Sequence, residues 1–131
     1  MKITVVVDAN PIISALIGGA SMGVLFDRRL RFVTTGFTLS EVEKYLPTIS
    51  RKSGVSEHRI KLALALLPIT AYTKETYTGS TQKAEMLIGG KDSKDVEILA
   101  LALELKAPLW SEDKHFEDIT GITLLKTKDL V

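Results

Sequence analysis

Ile3-Thr4-Val5-Val6-Val7, closed by Asp8, is a run of five β-branched residues without the apolar–polar alternation of a sheet that has one wet face. Branching at Cβ favours extended backbone, and a strand apolar on both sides belongs inside a parallel sheet covered by helices above and below. Asn10-Pro11 breaks the strand, and a short helix is expected over residues 12–16 before Gly18-Gly19. Further out, Ser21 is placed to cap a helix over residues 22–30, and residues 31–34 read as a second strand. Thr38 or Ser40 caps a helix running to about residue 52, with Val42, Leu46 and Ile49 at i, i+4 and i+7. After Gly54, Ser56 opens a helix over residues 57–67 in which Ile60, Leu62, Leu64, Leu66 and Leu67 are expected to be largely buried. Residues 68–72 form a third strand, and 75–88 a helix stopped by Gly89-Gly90. A long helix covers residues 93–106, and strands at 107–110 and 121–125 complete the chain. Strands alternating with helices predict an α/β fold of three α/β/α layers, with a central, mainly parallel sheet of four to five strands.

The composition sets limits. The 131 residues fit one domain, 1–131, with no repeat, low-complexity tract or linker, and 45% hydrophobic content supplies a packed core. With no cysteine there are no disulfides, thiolate metal sites or cysteine nucleophiles. A formal net charge of +1 gives no global basic footprint. No stretch reaches the roughly 18 to 20 apolar residues of a membrane span, because Glu104 and Lys106 cut off the run ending at Leu103. Only five strand-like residues separate Lys2 from Asp8, which is no signal peptide, so a cytoplasmic location is expected.

Three acids stand at the edges of apolar elements. Asp8 closes the first strand, Asp95 opens the run Val96-Glu97-Ile98-Leu99-Ala100, and Asp113 follows Leu109-Trp110-Ser111. In open α/β sheets, ligands bind beyond the carboxyl ends of strands where strand order reverses, and all three acids belong to that edge. Converging carboxylates repel one another and call for a cation, and hard oxygen donors describe magnesium or manganese rather than zinc. Each acid also has an ordinary use. Asp8 before Ala9-Asn10-Pro11 can be a cap or a turn residue, Asp92 is a natural N-cap, Asp95 gains from the helix dipole, and Asp113 fits a solvated turn. Glu41 and Glu43 flank the Val42–Leu46 stripe, and periodicity does not choose between them.

Taken together, these segments resemble a PIN domain, the fold of VapC-type toxin ribonucleases and related nucleases. Val5-Val6-Val7-Asp8-Ala9-Asn10-Pro11-Ile12 matches the hydrophobic-Asp-x-Asn opening of the family. Thr38-Leu39-Ser40-Glu41-Val42 is similar to its second acidic motif, which selects Glu41. Asp92-Ser93-Lys94-Asp95-Val96-Glu97 is similar to the third, and Leu109-Trp110-Ser111-Glu112-Asp113-Lys114 to the fourth. The chain departs from the pattern in two places. Many relatives carry a further acid where this chain has His115-Phe116, with Glu117 or Asp118 as stand-ins, and Glu112 stands where a small polar residue is common.

The resemblance implies hydrolysis of RNA phosphodiester bonds with Mg²⁺ or Mn²⁺ held by Asp8, Glu41, Asp95 and Asp113, supported by Asn10, Ser111 and Asp92. It also implies a small antitoxin partner and a homodimer, for which the helices spanning residues 39–67 offer a surface. Lys91, Lys94, Lys114 and His115 lie beside these residues and can meet phosphates, while Lys44, Arg51, Lys52, Arg59 and Lys61 concentrate charge on the middle helices. Tyr45, Tyr72 and Tyr77 are either stacking or core residues. The alternative is a catalytically impaired PIN domain that binds RNA or protein. A phosphatase reading wants Asp at Asn10, and a P-loop reading fails because Gly18-Gly19 lacks the Gly-Lys-Ser/Thr continuation.

Overall fold

Every residue of the first strand, β1 (Ile3–Val7), from Val5 onward is buried, and successive side chains enter different cores. Val6 packs with Val33, Leu99, Leu101 and Leu109 on one face, and Val5 and Val7 with Ile12, Phe32, Val42 and Trp110 on the other. This two-sided burial explains why the strand shows no alternation. The structure is a computed structural model that describes residues 1–90 and 93–131. Lys91 and the expected N-cap Asp92 lie outside the described residues.

The elements run β1, α1 (Ala9–Leu16), α2 (Ser21–Leu25), β2 (Leu30–Thr35), α3 (Gly36–Lys44), α4 (Leu46–Ser53), α5 (Glu57–Leu66), β3 (Ile69–Tyr72), α6 (Lys74–Tyr77), α7 (Thr81–Ile88), α8 (Ser93–Leu105), β4 (Leu109–Trp110), β5 (Leu124–Leu125) and α9 (Thr127–Leu130). The five strands form one sheet in the order β3-β2-β1-β4-β5, with every pair parallel. α7 and α8 cover one face, and α1, α2 and α3 cover the other, giving the expected three layers. A smaller cluster of Leu46, Ile49 and Ile60 joins α4 to α5. No helix among the described residues is long and apolar enough to cross a membrane.

Several local expectations change. The helix expected over 22–30 is only Ser21–Leu25; Asp27 turns the chain by binding the backbone and guanidinium of Arg29, and Leu30 joins β2. Ser21 is therefore inside the helix, not its cap. The helix expected to reach residue 52 divides at Tyr45, because Pro47 has no N–H for the ladder and fits only the first turn of a new helix. Its cap is neither Thr38 nor Ser40 but Thr35, whose hydroxyl accepts from the Thr38 amide at 2.9 Å. The 75–88 helix is interrupted by a 3-10 turn at Thr78–Ser80. In α5, Leu62 and Leu66 are 53% and 80% exposed. A helix of 3.6 residues per turn puts Ile60, Leu64 and Leu67 on one side and leaves those two on the other. The short α9 was not foreseen.

Candidate metal centre

The chain leaves β1 for β2 and β3 on one side, then returns with β4 on the other, so strand order reverses between β1 and β4. A crevice opens there beyond the strand ends. Val7 pairs with Trp110, and Asp8 N–H donates to the Trp110 carbonyl at 3.0 Å, which sets Asp8 just beyond the joined ends of β1 and β4. Asp8 Oδ1 then caps α1 by accepting from the Ala9 amide at 2.8 Å. The cap reading of Asp8 is therefore correct, but it uses only one carboxylate oxygen. The second, Oδ2, accepts a 2.7 Å hydrogen bond from Ser111 Oγ. Ser111, fully buried, in turn accepts from the Asp113 amide at 3.0 Å, so one hydroxyl couples the two acid-bearing loops. Asn10 strengthens the junction by accepting from the Glu112 amide at 3.1 Å.

Asp95, in the first turn of α8, is 6% exposed and lies near both. Burial pushes its carboxyl above the usual range, and the charges of Asp113 and Asp8 push it further, against a lowering contribution from His115. Asp8 is likewise raised, first by burial and then by Asp113, with the Ser111 and Ala9 hydrogen bonds opposing. Two desolvated carboxylates raised by one another's neighbours are the electrostatic mark of a site that favours a positive guest.

Glu41, buried on α3, reaches the same cleft, whereas Glu43 is exposed and does not line it. Its environment differs. Lys44 Nζ lies 3.0 Å from Oε1 and Lys94 Nζ 3.4 Å from Oε2, and these ammonium groups hold its carboxyl below the usual range. Asp8, Asn10, Glu41, Asp95, Asp113 and Lys94 together line a cleft of about 220 Å³, walled by Ile13, Phe37 and Tyr45. Of the tyrosines, Tyr45 lies at this cleft, whereas Tyr77 is core and donates to Glu97 at 2.8 Å.

The two departures from the family pattern have distinct outcomes. Glu112 turns away from the cleft, and its Oε2 accepts from the amide and hydroxyl of Thr127 at 2.7 and 3.0 Å. Glu117 and Asp118 are exposed, with Glu117 facing Lys126, and neither lines the cleft. The position is filled instead by His115, whose Nδ1 lies 2.6 Å from Asp95 Oδ2 and 3.5 Å from Asp113 Oδ1. Reading His115 only as a phosphate contact missed this. The available signal was the Asp-x-His spacing, because Asp113 caps the 3-10 turn Lys114–Phe116 by accepting from the His115 amide at 2.9 Å.

The donor set fits a hard divalent ion: carboxylate oxygens predominate, at least two are desolvated against like charge, and Asp95, Asp113 and His115 offer ligand atoms within 4.8 Å of one another.

Comparison with known proteins agrees with the architecture. No curated protein matches the chain by sequence. Among solved structures, VapBC2 from Rickettsia felis, bound to a DNA fragment from their promoter, superposes with a TM-score of 0.69 at 14% identity, covering 95% of this chain and 98% of that one. VapBC-1 from nontypeable Haemophilus influenzae gives 0.67 at 23% identity, covering 96% and 99%. At these identities the likeness is one of fold. A sequence profile of the PIN domain, however, matches residues 6–130, from the buried valines ahead of Asp8 through the last helix, and on that match the chain belongs to the PIN domain family.

Proposed function

We propose that this chain is a divalent-metal-dependent endoribonuclease that hydrolyses RNA phosphodiester bonds, acting as the toxin of a type II toxin–antitoxin pair. The observation that carries this reading is the convergence of Asp8, Asp95 and Asp113, with Glu41, on one cleft at the β1/β4 reversal. Asp8, Asp95 and Asp113 are assigned to hold Mg²⁺ or Mn²⁺, directly or through water, with Glu41 as the outer member. When bound, the ion supplies Lewis acidity, lowering the pKa of water and offsetting charge on the attacked phosphate. Ser111 fixes the Asp8 carboxylate and the Asp113 loop in one orientation, and Asn10 holds that loop against α1. Lys94, kept at the cleft by Glu41, brings positive charge to where a phosphodiester would lie. Glu41 thus has two uses, one toward the ion and one toward the cation that meets substrate.

The toxin assignment rests on the resemblance to VapC-type proteins and on the VapBC structures that share the fold. It brings with it a small antitoxin partner and pairing of two copies, for which exposed Leu62 and Leu66 on α5 offer apolar surface. One domain, residues 1–131, carries the site.

The test is cleavage of single-stranded RNA with Mn²⁺ or Mg²⁺ by the purified chain, with EDTA, Asp8→Asn and Asp95→Asn as controls. Cleavage should vanish in all three while circular dichroism stays native. Full activity in either variant refutes the assignment. A second reading, an impaired PIN domain that binds RNA or protein, is favoured by His115 lying against Asp95 where many relatives carry a further acid. Metal binding and RNA binding without cleavage at any divalent ion would select it.

A further inference from the structure

We infer that His115 donates a ring nitrogen beside the carboxylates of Asp95 and Asp113, so that the cleft prefers a first-row transition ion such as Mn²⁺ to Mg²⁺. This rests on the reading above that the cleft holds a divalent ion, and it goes beyond it by naming which ion and which residue decides. The three ligand atoms lie within 4.8 Å of one another, with Nδ1 at 2.6 Å from Asp95 and 3.5 Å from Asp113. Around a six-coordinate ion with bonds near 2.1 Å, neighbouring donors stand about 3 Å apart and opposite donors about 4.2 Å apart. The observed spacings need adjustments of well under an ångström from most of these values, and the hydrogen bond to Asp95 gives way to coordination.

The ring can make that adjustment without leaving the site. Its side chain is 44% exposed, while the backbone beneath it is anchored by the Asp113 cap and by Phe116, buried in the core at the next position. Glu41, by contrast, faces Lys44 and Lys94 with its two oxygens and stays an outer member of the set, while the Asp95–Asp113–His115 group is the compact donor set among the described residues. Mg²⁺ takes oxygen donors and gives up its waters reluctantly, whereas imidazole suits transition ions. One nitrogen among oxygens therefore tilts selectivity without excluding magnesium.

The experiment measures dissociation constants of Mn²⁺ and Mg²⁺ by calorimetry, and the visible spectrum of bound Co²⁺, for the wild type, His115→Ala and His115→Asp. For His115→Ala, Mn²⁺ should weaken by about tenfold or more and Mg²⁺ by less than about threefold, the scale expected for a lost ligand. The Co²⁺ bands should shift in both variants, and His115→Asp should narrow the Mn²⁺/Mg²⁺ ratio while keeping tight Mg²⁺ binding. Equal weakening of both ions in His115→Ala would mean that the ring merely positions Asp95, and overturns the inference. So would unchanged affinities with an unchanged Co²⁺ spectrum. If the wild type binds neither ion, the nuclease reading falls as well; if it binds both and only the ratio fails to respond, that reading stands without this one.

Discussion

Replacing Asp113 by Asn should make the ion-free protein more stable and the ion-loaded protein less stable than the wild type. Burial is the main cause that raises Asp8 and Asp95, and the Asp113 charge adds to both, so its removal relieves two repulsions together. Ligand oxygens of Asp95 and Asp113 lie within 4.8 Å. At that separation like unit charges repel by about 0.9 kcal/mol in water-like dielectric and about 3.5 kcal/mol at an effective value of 20. The Asp95 side chain is 9% exposed and that of Asp113 30%, which places the pair between the limits, at about 1–2 kcal/mol. Against this, the variant loses the attraction of His115 at 3.5 Å, worth under about 1 kcal/mol for a part-exposed pair. The amide oxygen of Asn keeps the cap on the His115 N–H.

The net gain is therefore about 1 kcal/mol, or about 3–5 °C in melting temperature for a chain of this size. With Mn²⁺ at about 100 times its dissociation constant, the wild type gains about 2.7 kcal/mol and the variant less, because it has lost a ligand. The assay is thermal melting of both proteins in EDTA and in excess Mn²⁺, and the order of the two melting temperatures should reverse between them. If Asp113→Asn melts at or below the wild type in EDTA, the carboxylates are not in net repulsion and the electrostatic argument for an ion fails.

Two further expectations follow from the same geometry. Ser111→Ala removes a buried hydroxyl that donates to Asp8 and accepts from Asp113, so urea melts should show a loss of about 2 kcal/mol where Asp113→Asn shows a gain; a neutral outcome contradicts the coupling of the two loops. Stability against pH should separate Asp8 from Glu41. Asp8 is raised above 3.8 in the fold, so its ionisation destabilises at neutral pH, and the advantage of Asp8→Asn should shrink as pH falls through the raised value and be gone below 3.8. Glu41 is lowered from 4.5, so it stabilises at neutral pH, and the deficit of Glu41→Gln should start to shrink as pH falls below 4.5 and be gone below the lowered value. Same-sign effects for the two variants at neutral pH would contradict this assignment of environments.

The fold was readable wherever one residue settles the environment of its neighbours. Five β-branched residues without alternation admit few settings other than a strand covered on both faces, and Val6 against Val5 and Val7 shows that setting. The failures came where a local signal competed with a longer pattern. The stripe Val42, Leu46, Ile49 is buried as expected, yet it runs across two helices because Pro47 outweighs apolar periodicity. In α5 the error was the opposite: five apolar residues in eight positions were all assigned to the core, although helical geometry allows only one face to reach it. The two-residue strands β4 and β5 fall inside the expected spans 107–110 and 121–125 but are shorter, because their extent depends on pairing partners distant in the chain.

Pairing partners of that kind also decide what could be known of the site. Asp8 and Asp113 were legible because each follows an apolar strand, and the loop beyond a parallel strand has a predictable edge. Their contact through Ser111 spans 103 residues of sequence, and it follows only once β4 is known to lie beside β1 rather than beyond β3. Charge then separates the acids in a way no spacing reveals. Asp8 and Asp95 are raised by burial and by acidic neighbours, while Glu41, a similar carboxylate on the same cleft, is lowered by Lys44 and Lys94. His115 was hardest to place, since a polar residue after an acidic turn has many ordinary uses. Once Asp113 caps the turn and Phe116 enters the core, the backbone between them is fixed, and its ring lies against Asp95. A residue two positions from Asp113 and against Asp95 changes the electrostatics of both, and the acidic pattern alone does not include it.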